Sequence, residues 1–586
     1  MQSTKLIPLL ILGVLVVLLP GGSRCAGQAR LGPLAVHPQN PRYFQNTATG
    51  AVVYLTGSHT WANLVDIGPS DPPPVFDFEE CVKWMVKLDH NFMRLWTWEL
   101  VSWDTKANSE HKLHTSAPQP YARTGPGKAL DGKPRFDLTK FNPAYFERLA
   151  QRIALAREHG IYVSVMLFEG WGLQFSNKAW EGHPFHLQNN INGLDGDADK
   201  DGKGVEIHQL DNPAVTAIQE AYVRKVIDTV NGFDNVLYEI SNENHPPSTP
   251  WQYHMIRFIK DYERTKPQQH PVGMTFQYKG GSNKDLFDSP ADWVSPNQEG
   301  GYRDDPPPAD GRKVVLSDTD HLWGIGGNQA WVWKSFTRGH NPIFMDPYDG
   351  DVLGNRFDPK WDPIRRSMGY TLRYARRMDL AQARPAGDLA STKYCLAQPG
   401  RHYLVYKPGP GDSVTVKLEP ATYTYEWFDP AEGKQVEAGT KTAAGKETQF
   451  TCPVKGDAVL FVTRTVFPAQ DWQPATPESQ GLDPARLQAA ADYLRENAGP
   501  DGVNELMIVR HGYLVWQGPN IDNVHGVWSA TKSFTSTVLG LLIDDGKAAL
   551  DTRAKEFMPA LAAPCPEVTL RHLTTMTSGC RATNDE

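Results

Sequence analysis

Apolar runs of strand length recur along the first two-thirds of the chain, and between several of them apolar residues repeat at helical spacing. The runs are VVYLTG at 52, NFMRLWTW at 91, IYVSVMLF at 161, NVLYEI at 235, PVGMTF at 271, DWVS at 292, KVVLS at 313 and NPIFMD at 341. Among the helical stretches, PAYFERLAQRIALAREHG at 143 sets Phe146, Leu149, Ile153 and Ala156 on one face, and PAVTAIQEAYVRKVIDTV at 213 is a second such stretch. Continuously apolar strands are buried on both faces, as parallel strands are. Their alternation with helices predicts a closed (β/α)8 TIM barrel over residues 30–382. No clear helix separates the fifth run from the sixth.

The texture changes after residue 385. STKYCLAQPGRHYLVYK, SVTVKLE, TYTYEWFDP and DAVLFVTRT are short, partly alternating and separated by Gly and Pro, which predicts a small β-sandwich over 385–465. A linker at 466–473, within VFPAQDWQPATPES, leads to a third region, 474–586. There LDPARLQAAADYLRENA is an amphipathic helix, ELMIVRHGYLVWQG a hairpin turning at His511-Gly512, and VWSATKSFTSTVLGLLIDDG opens a buried helix at Ser529.

Residues 1–29 carry Lys5, the apolar run LIPLLILGVLVVLLP and a small-residue stretch ending Ala26-Gly27-Gln28-Ala29, the three-part layout of a secretory signal. The run is broken by Pro8 and Pro20 and is short beside the about 20 residues of a spanning helix. Arg24 before Cys25 departs from a lipoprotein signal. A secreted or periplasmic protein is expected, with no stable membrane insertion after cleavage near Ala29. At 586 residues the chain calls for several domains. A formal net charge of -8 gives no reason to expect nucleic acid or an anionic membrane as partner. Of the cysteines outside the signal, Cys395 and Cys452 share one region and are candidates to pair; Cys81, Cys565 and Cys580 add no zinc spacing.

Active sites of such barrels lie at the C-terminal ends of the strands. The fourth run ends VLYEISNENH, setting Glu243 just past the strand, and the seventh runs into Asp318-Thr319-Asp320-His321. Cleaving a glycosidic bond takes one protonated carboxyl at the leaving oxygen and a second carboxylate across the sugar. Other strand ends fit a sugar cleft: His59 and Trp61 after the first, Trp98 after the second, Glu169 and Trp171 after the third, Tyr278 beyond the fifth, His321 and Trp323 after the seventh. Aromatic faces stack on sugar rings while polar groups orient them. In the loop after the third strand, Asp197, Asp199 and Asp201 alternate ahead of Gly202, as in a calcium loop, although its twelfth position is His208 rather than a bidentate Glu. A solvated acidic loop is the alternative.

Asn242-Glu243 on strand four with an acidic end on strand seven resembles the clan of glycoside hydrolases that shares this arrangement, most closely the apiosidase-like barrels of bacterial secreted proteins, over about residues 33–382. The resemblance implies Glu243 as acid/base, Asn242 as ligand of the sugar 2-hydroxyl and Arg94 as the residue positioning the nucleophile. Most of the clan has Glu on strand seven. Here Asp318 directly follows the strand and is favoured as nucleophile, with Asp320 the alternative and retention the expected outcome. The sandwich resembles the C-terminal domain often attached to these barrels and labelled collagen-binding; none of its residues shows collagen affinity, and a structural cap is the alternative.

The third region resembles serine β-lactamase-related hydrolases and esterases. Ser529-Ala-Thr-Lys532 is the S-x-x-K arrangement, in which one helical turn sets an amine beside the nucleophilic hydroxyl, and LRHLTTMTSG follows. That family also needs a later Tyr-x-Asn motif, yet no tyrosine follows Tyr513. Only the N-terminal part of an α/β serine β-lactamase-like domain is present, and no serine-hydrolase activity is expected of it as written. The expected function is therefore a secreted glycosidase acting on O-glycosidic bonds of a polysaccharide or oligosaccharide, with no cofactor required beyond a candidate structural calcium. The alternatives are a serine hydrolase at Ser529 with the barrel as accessory, and a barrel that binds carbohydrate without cleaving it.

Overall fold

The computed structural model describes residues 31–104, 113–175, 179–349, 356–466, 468, 471–480, 482–498, 503–524 and 526–580. The predicted signal lies outside the described residues. The chain divides into two compact units, one holding residues up to 493 together with 508–516, the other holding 494–507 and 517–586.

The first unit is built on eight parallel strands: β1 (Gly57–His59), β2 (Phe92–Leu95), β3 (Tyr162–Glu169), β4 (Val236–Asn242), β5 (Val272–Thr275), β6 (Trp293–Ser295), β7 (Val314–Asp318) and β8 (Asn341–Met345). Their ladders run β2-β3-β4-β5-β6-β7-β8-β1, and seven of the eight predicted runs supply one strand each. Every residue of β3 and β4 is buried, as strands between helices and a filled barrel centre must be. Between β1 and β2 the Asn91 side chain does much of the closing, accepting from Thr56 N at 2.9 Å and donating to the Tyr54 carbonyl at 2.8 Å. A Cβ on Gly57 would meet the Phe92 carbonyl oxygen at 2.3 Å, so glycine lets the two strands approach.

The first strand lies later than its apolar run. Val52–Val53 pair instead with Gln45 and Phe44 in a small antiparallel sheet whose apolar residues Leu34 and Phe44 share a cluster with Leu55, Phe92 and Leu237. The barrel helices include α1 (Phe78–Lys87), α2 (Pro143–Glu158), α3 (Pro213–Val230) and α4 (Thr249–Glu263). Asn142 and Asn212 cap α2 and α3 with a proline following each, the favoured pairing at a helix start. A helix of six residues, α5 (Asn283–Asp288), does separate β5 from β6. It is too short to register as a periodic pattern. α6 (Gln329–Thr337) and α7 (Asp362–Arg376) flank β8.

Strands β9 (Cys395–Gln398), β10 (His402–Lys407), β11 (Ser413–Lys417), β12 (Ala421–Asp429), β13 (Lys434–Ala443), β14 (Glu447–Thr451) and β15 (Ala458–Arg464) form the sandwich. Its main sheet runs β9-β10-β15-β12-β13, beginning with a short strand at 384–385, and β11 pairs with β14. β13 has one buried residue in ten; as a solvated edge strand it shows no apolar run. Trp333 and Phe336 of α6 and Leu372 and Tyr374 of α7 share one apolar cluster with Leu404, Tyr406, Phe428 and Phe461 of the sandwich.

In the second unit, the helix expected to be buried is α8 (Thr531–Asp544), and none of its residues is buried. Phe534, Val538 and Leu541 are exposed, because the described residues bring no apolar partner onto that face. Cys565 is bonded to Cys580, whereas Cys395 and Cys452, the candidate pair in the sequence, are both free. Cys395 is buried in the sandwich core, and the Cys452 thiol donates to the Val454 carbonyl. Among the described residues no helix is long and apolar enough to cross a membrane.

Candidate active site

Arg94, in the middle of β2, organises the C-terminal mouth of the barrel. It is 1% exposed, and all of its N–H groups are engaged. Nε and Nη2 hold both oxygens of Glu239 at 2.8 and 2.6 Å, Nη2 reaches Asn242 Oδ1 at 2.6 Å, and Nη1 reaches Asp318 Oδ2 at 2.8 Å and Asp320 Oδ2 at 3.3 Å. A rigid five-donor fork suits such a task. Glu239 is a site residue that the sequence reading missed. Its signal was there, one charge inside the apolar run VLYEIS, where the pleat turns it into the barrel.

Asp318 ends β7 and caps the turn that follows, accepting from Asp320 N at 3.0 Å. His59 Nε2 lies 3.1 Å from its Oδ1 and 2.9 Å from its Oδ2. Both oxygens are thus occupied and the residue is fully buried. Burial alone would push its pKa up, but His59 and Arg94 outweigh burial and hold it below the usual carboxylate range. Asp320, the second residue of that turn, is 7% exposed. Burial and the charge of Asp318 push its carboxyl up to about 6.

Glu243 follows β4 with φ at 41°, a conformation an L-residue holds only when its surroundings impose it. Among the described residues its carboxyl makes no hydrogen bond, while its carbonyl accepts from Gln174 Nε2 at 2.9 Å. Burial, then the neighbouring Asp320 and Glu169, raise its pKa well above the ordinary value. Charge balance explains this. Arg94 brings one positive charge to a mouth where Glu239, Asp318, Asp320, Glu169 and Glu243 all carry carboxyls. Asn242 Oδ1 also lies 3.2 Å from His321 Nε2, and His321 Nδ1 lies 2.7 Å from Ser295 Oγ. Burial lowers the His321 pKa to about 3, so the ring is a neutral brace.

The remaining rim candidates divide by exposure. Trp171, Tyr278 and Trp323 are half-buried, with Trp171 and Tyr278 rings 6.5 Å apart. Trp98, expected on the rim, has no exposed surface. It lies edge-on to Trp61 at 5.2 Å and donates Nε1 to the Trp61 carbonyl at 3.1 Å, so it is a packing residue. Trp61 is itself 3% exposed and touches Trp171 at 5.6 Å. His59 stacks on Trp96 at 5.6 Å, which fixes the ring that holds Asp318. Glu169 is buried as well: Oε1 accepts from Trp171 N at 2.7 Å, and burial drives its pKa up to about 8.

Asp318, Asp320 and His321 offer ligand atoms close enough to share a metal, but Arg94 and the ring contacts of His321 already engage them. The second such group is Asp197, Asp199 and Glu206. Asp201, expected with the first two, instead accepts from Lys203 N at 2.8 Å and pairs with the Lys203 amine. His208, read at the loop's twelfth position, turns inward to Glu99 at 3.1 Å. In the second unit Lys532 Nζ donates to Ser529 Oγ at 3.0 Å.

Residues 116–279 match a family model described as a domain of unknown function, DUF6298, and residues 497–586 match the beta-lactamase family model. No curated protein matches the chain. Among solved structures, a glycoside hydrolase family 5 protein from Bacteroides vulgatus is 13% identical, covering 74% of this chain and 94% of that one with a TM-score of 0.51. A structure described as a glycoside hydrolase is also 13% identical, over 74% and 97%, with a TM-score of 0.48. A family 5 mannosidase from Rhizomucor miehei is 14% identical, over 59% and 98%, at 0.37. The fold is thus a TIM barrel of the kind found in family 5 glycoside hydrolases. A sandwich and a beta-lactamase-related segment follow it in the chain.

Proposed function

We propose that this protein is an exported glycoside hydrolase that cleaves O-glycosidic bonds of a polysaccharide or oligosaccharide with retention, Glu243 acting as acid/base and Asp320 as nucleophile. The observation that carries the reading is the contrast between the carboxyls at the barrel mouth. Asp318 has both oxygens held by cationic or N–H partners, whereas the Glu243 carboxyl has no hydrogen-bond partner among the described residues and a raised pKa. A general acid needs a carboxyl that keeps its proton near neutrality, and a nucleophile needs free lone pairs. Asp318 then serves to orient Arg94 and the Asp320 turn. Asn242, its Oδ1 fixed by Arg94, is left to donate from Nδ2 to a sugar hydroxyl. Trp171, Tyr278 and Trp323 supply stacking faces at the opening. The test is hydrolysis of a panel of polysaccharides and aryl glycosides by wild type and Glu243→Gln. Loss of about a thousandfold in rate with polysaccharide binding retained is expected. Unchanged sugar release from the variant refutes the assignment, and absence of release by wild type with binding intact favours a binding barrel.

A second reading rests on the 3.0 Å bond from Lys532 to Ser529 at the start of α8. It makes Ser529 an ester- or amide-attacking nucleophile. Burst hydrolysis of an activated ester, abolished by Ser529→Ala, tests it.

A further inference from the structure

The loop between β3 and α3 holds a cluster that the glycosidase chemistry does not use. Asp197, Asp199 and Glu206 each place a carboxylate oxygen within 4.8 Å of the other two. Asp197 is 7% exposed. Its Oδ2 accepts from Gly202 N at 3.0 Å, but its Oδ1 is buried with no hydrogen-bond partner among the described residues, and so is Oε2 of Glu206. Two buried carboxylate oxygens facing like charge with no donor are unfavourable unless a cation joins them. The lysines of the loop are engaged elsewhere. Lys200 reaches Asp195 at 2.5 Å, and Lys203 pairs with Asp201.

We propose that Asp197, Asp199 and Glu206 form a calcium site that fastens this loop to the wall of the barrel mouth. The donor set is all oxygen, which selects a hard cation over zinc or copper. An irregular loop meets calcium's loose coordination by six to eight oxygens more readily than magnesium's strict octahedron. Gly204 makes the close approach: its φ is 62°, and a Cβ there would lie 2.2 Å from the Trp180 ring. The site also bears on the barrel mouth. Two residues beyond Glu206, His208 meets Glu99 at 3.1 Å, and Glu99 accepts from Glu169 N at 2.8 Å. Gln209 meets His245 Nε2 at 3.0 Å, next to the Asn244 that follows Glu243.

The test uses the full chain, freed of metal with a chelator and titrated with calcium, with magnesium in a parallel titration. Terbium luminescence sensitised by Trp180 reports occupancy and thermal unfolding reports stability. One calcium per chain, a raised Tm and terbium emission displaced by calcium are expected, with magnesium weaker. Asp199 is exposed, so Asp199→Asn folds irrespective of the metal; it is expected to weaken calcium by about tenfold or more, and Glu206→Gln likewise. Calcium affinity unchanged in both variants, or no Tm shift and no emission in wild type, overturns the proposal. Because these readouts involve no sugar, they stand or fall separately from glycosidase activity.

Discussion

Asp318 and Asp320 differ by two positions and by the number of partners each carboxyl has, and that difference sets what each substitution does. Asp318→Asn takes a counter-charge from the buried Arg94 and alters the acceptor that His59 meets, so a stability loss of about 3–5 kcal/mol is expected in urea unfolding. Asp320 meets Arg94 at 3.3 Å and sits beside a like charge. Asp320→Asn is expected to change stability by about 1 kcal/mol or less while removing the nucleophile and about a thousandfold or more in rate. The opposite pattern, with Asp318→Asn stable and dead and Asp320→Asn active, returns the nucleophile to Asp318. The pH dependence follows from the same two groups. Asp320 must be ionised and its carboxyl titrates at about 6, so kcat/KM is expected to climb through about pH 6. It falls at higher pH as Glu243, whose pKa is raised by burial and its acidic neighbours, gives up its proton.

Among the elements, β3 shows how a strand end becomes part of a site. Glu169 closes the strand and holds the first turn of the next segment, accepting from Trp171 N and from Gly172 N. Burial outweighs those bonds and lifts its pKa from 4.5 to about 8. The folded form therefore binds a proton that the unfolded chain has released, so this contribution is present below about pH 4.5 and is lost as pH rises through about 8. Glu169→Gln, neutral at every pH, is expected to flatten the decline of unfolding free energy between about pH 5 and 8 by a few kcal/mol. An equal slope in wild type and variant would falsify the buried-acid account. The barrel strands were legible because a strand buried on both faces cannot hide its apolar run, and exceptions such as β1 and β13 have physical causes. β1 is made of Gly57, Ser58 and His59, admitted to the barrel by close approach to Phe92 rather than by hydrophobicity. β13 faces water along nearly its whole length. At the mouth, the paired positions on strands four and seven could be read from spacing. The engagement of Asp318, the depth of Trp98 and the part played by Glu239 could not, since each depends on which residue of another strand stands opposite. The acidic loop shows the same limit. Alternation picked out Asp197 and Asp199, but folding draws in Glu206 and leaves Asp201 to Lys203.

For the first unit as a whole, the consequential feature is the core that barrel and sandwich share. Trp333 of α6 has no exposed surface, and its ring lies 5.9 Å from Tyr374, 6.4 Å from Tyr406 and 6.2 Å from Phe428. The last two belong to the sandwich. Beside this apolar contact, Arg377 grips Glu426 with two bonds at 2.5 and 2.9 Å, and Tyr374 donates to the same carboxylate at 2.9 Å. A module that merely hung on the barrel by its linker would present a polar face there. A large aromatic cluster crossing the boundary instead couples the stability of the two parts. Barrel and sandwich are accordingly expected to unfold in one calorimetric transition. Trp333→Ala, which empties the centre of the cluster, is expected to lower the stability of that transition by about 3–5 kcal/mol. Two separated transitions, of which Trp333→Ala shifts only the sandwich's, would mean that the parts fold independently and that the shared core is an incidental contact. A single lowered transition makes the sandwich a cap that stabilises α6 and α7, the helices flanking β8, and through them the wall of the barrel that carries His59 and Asp318.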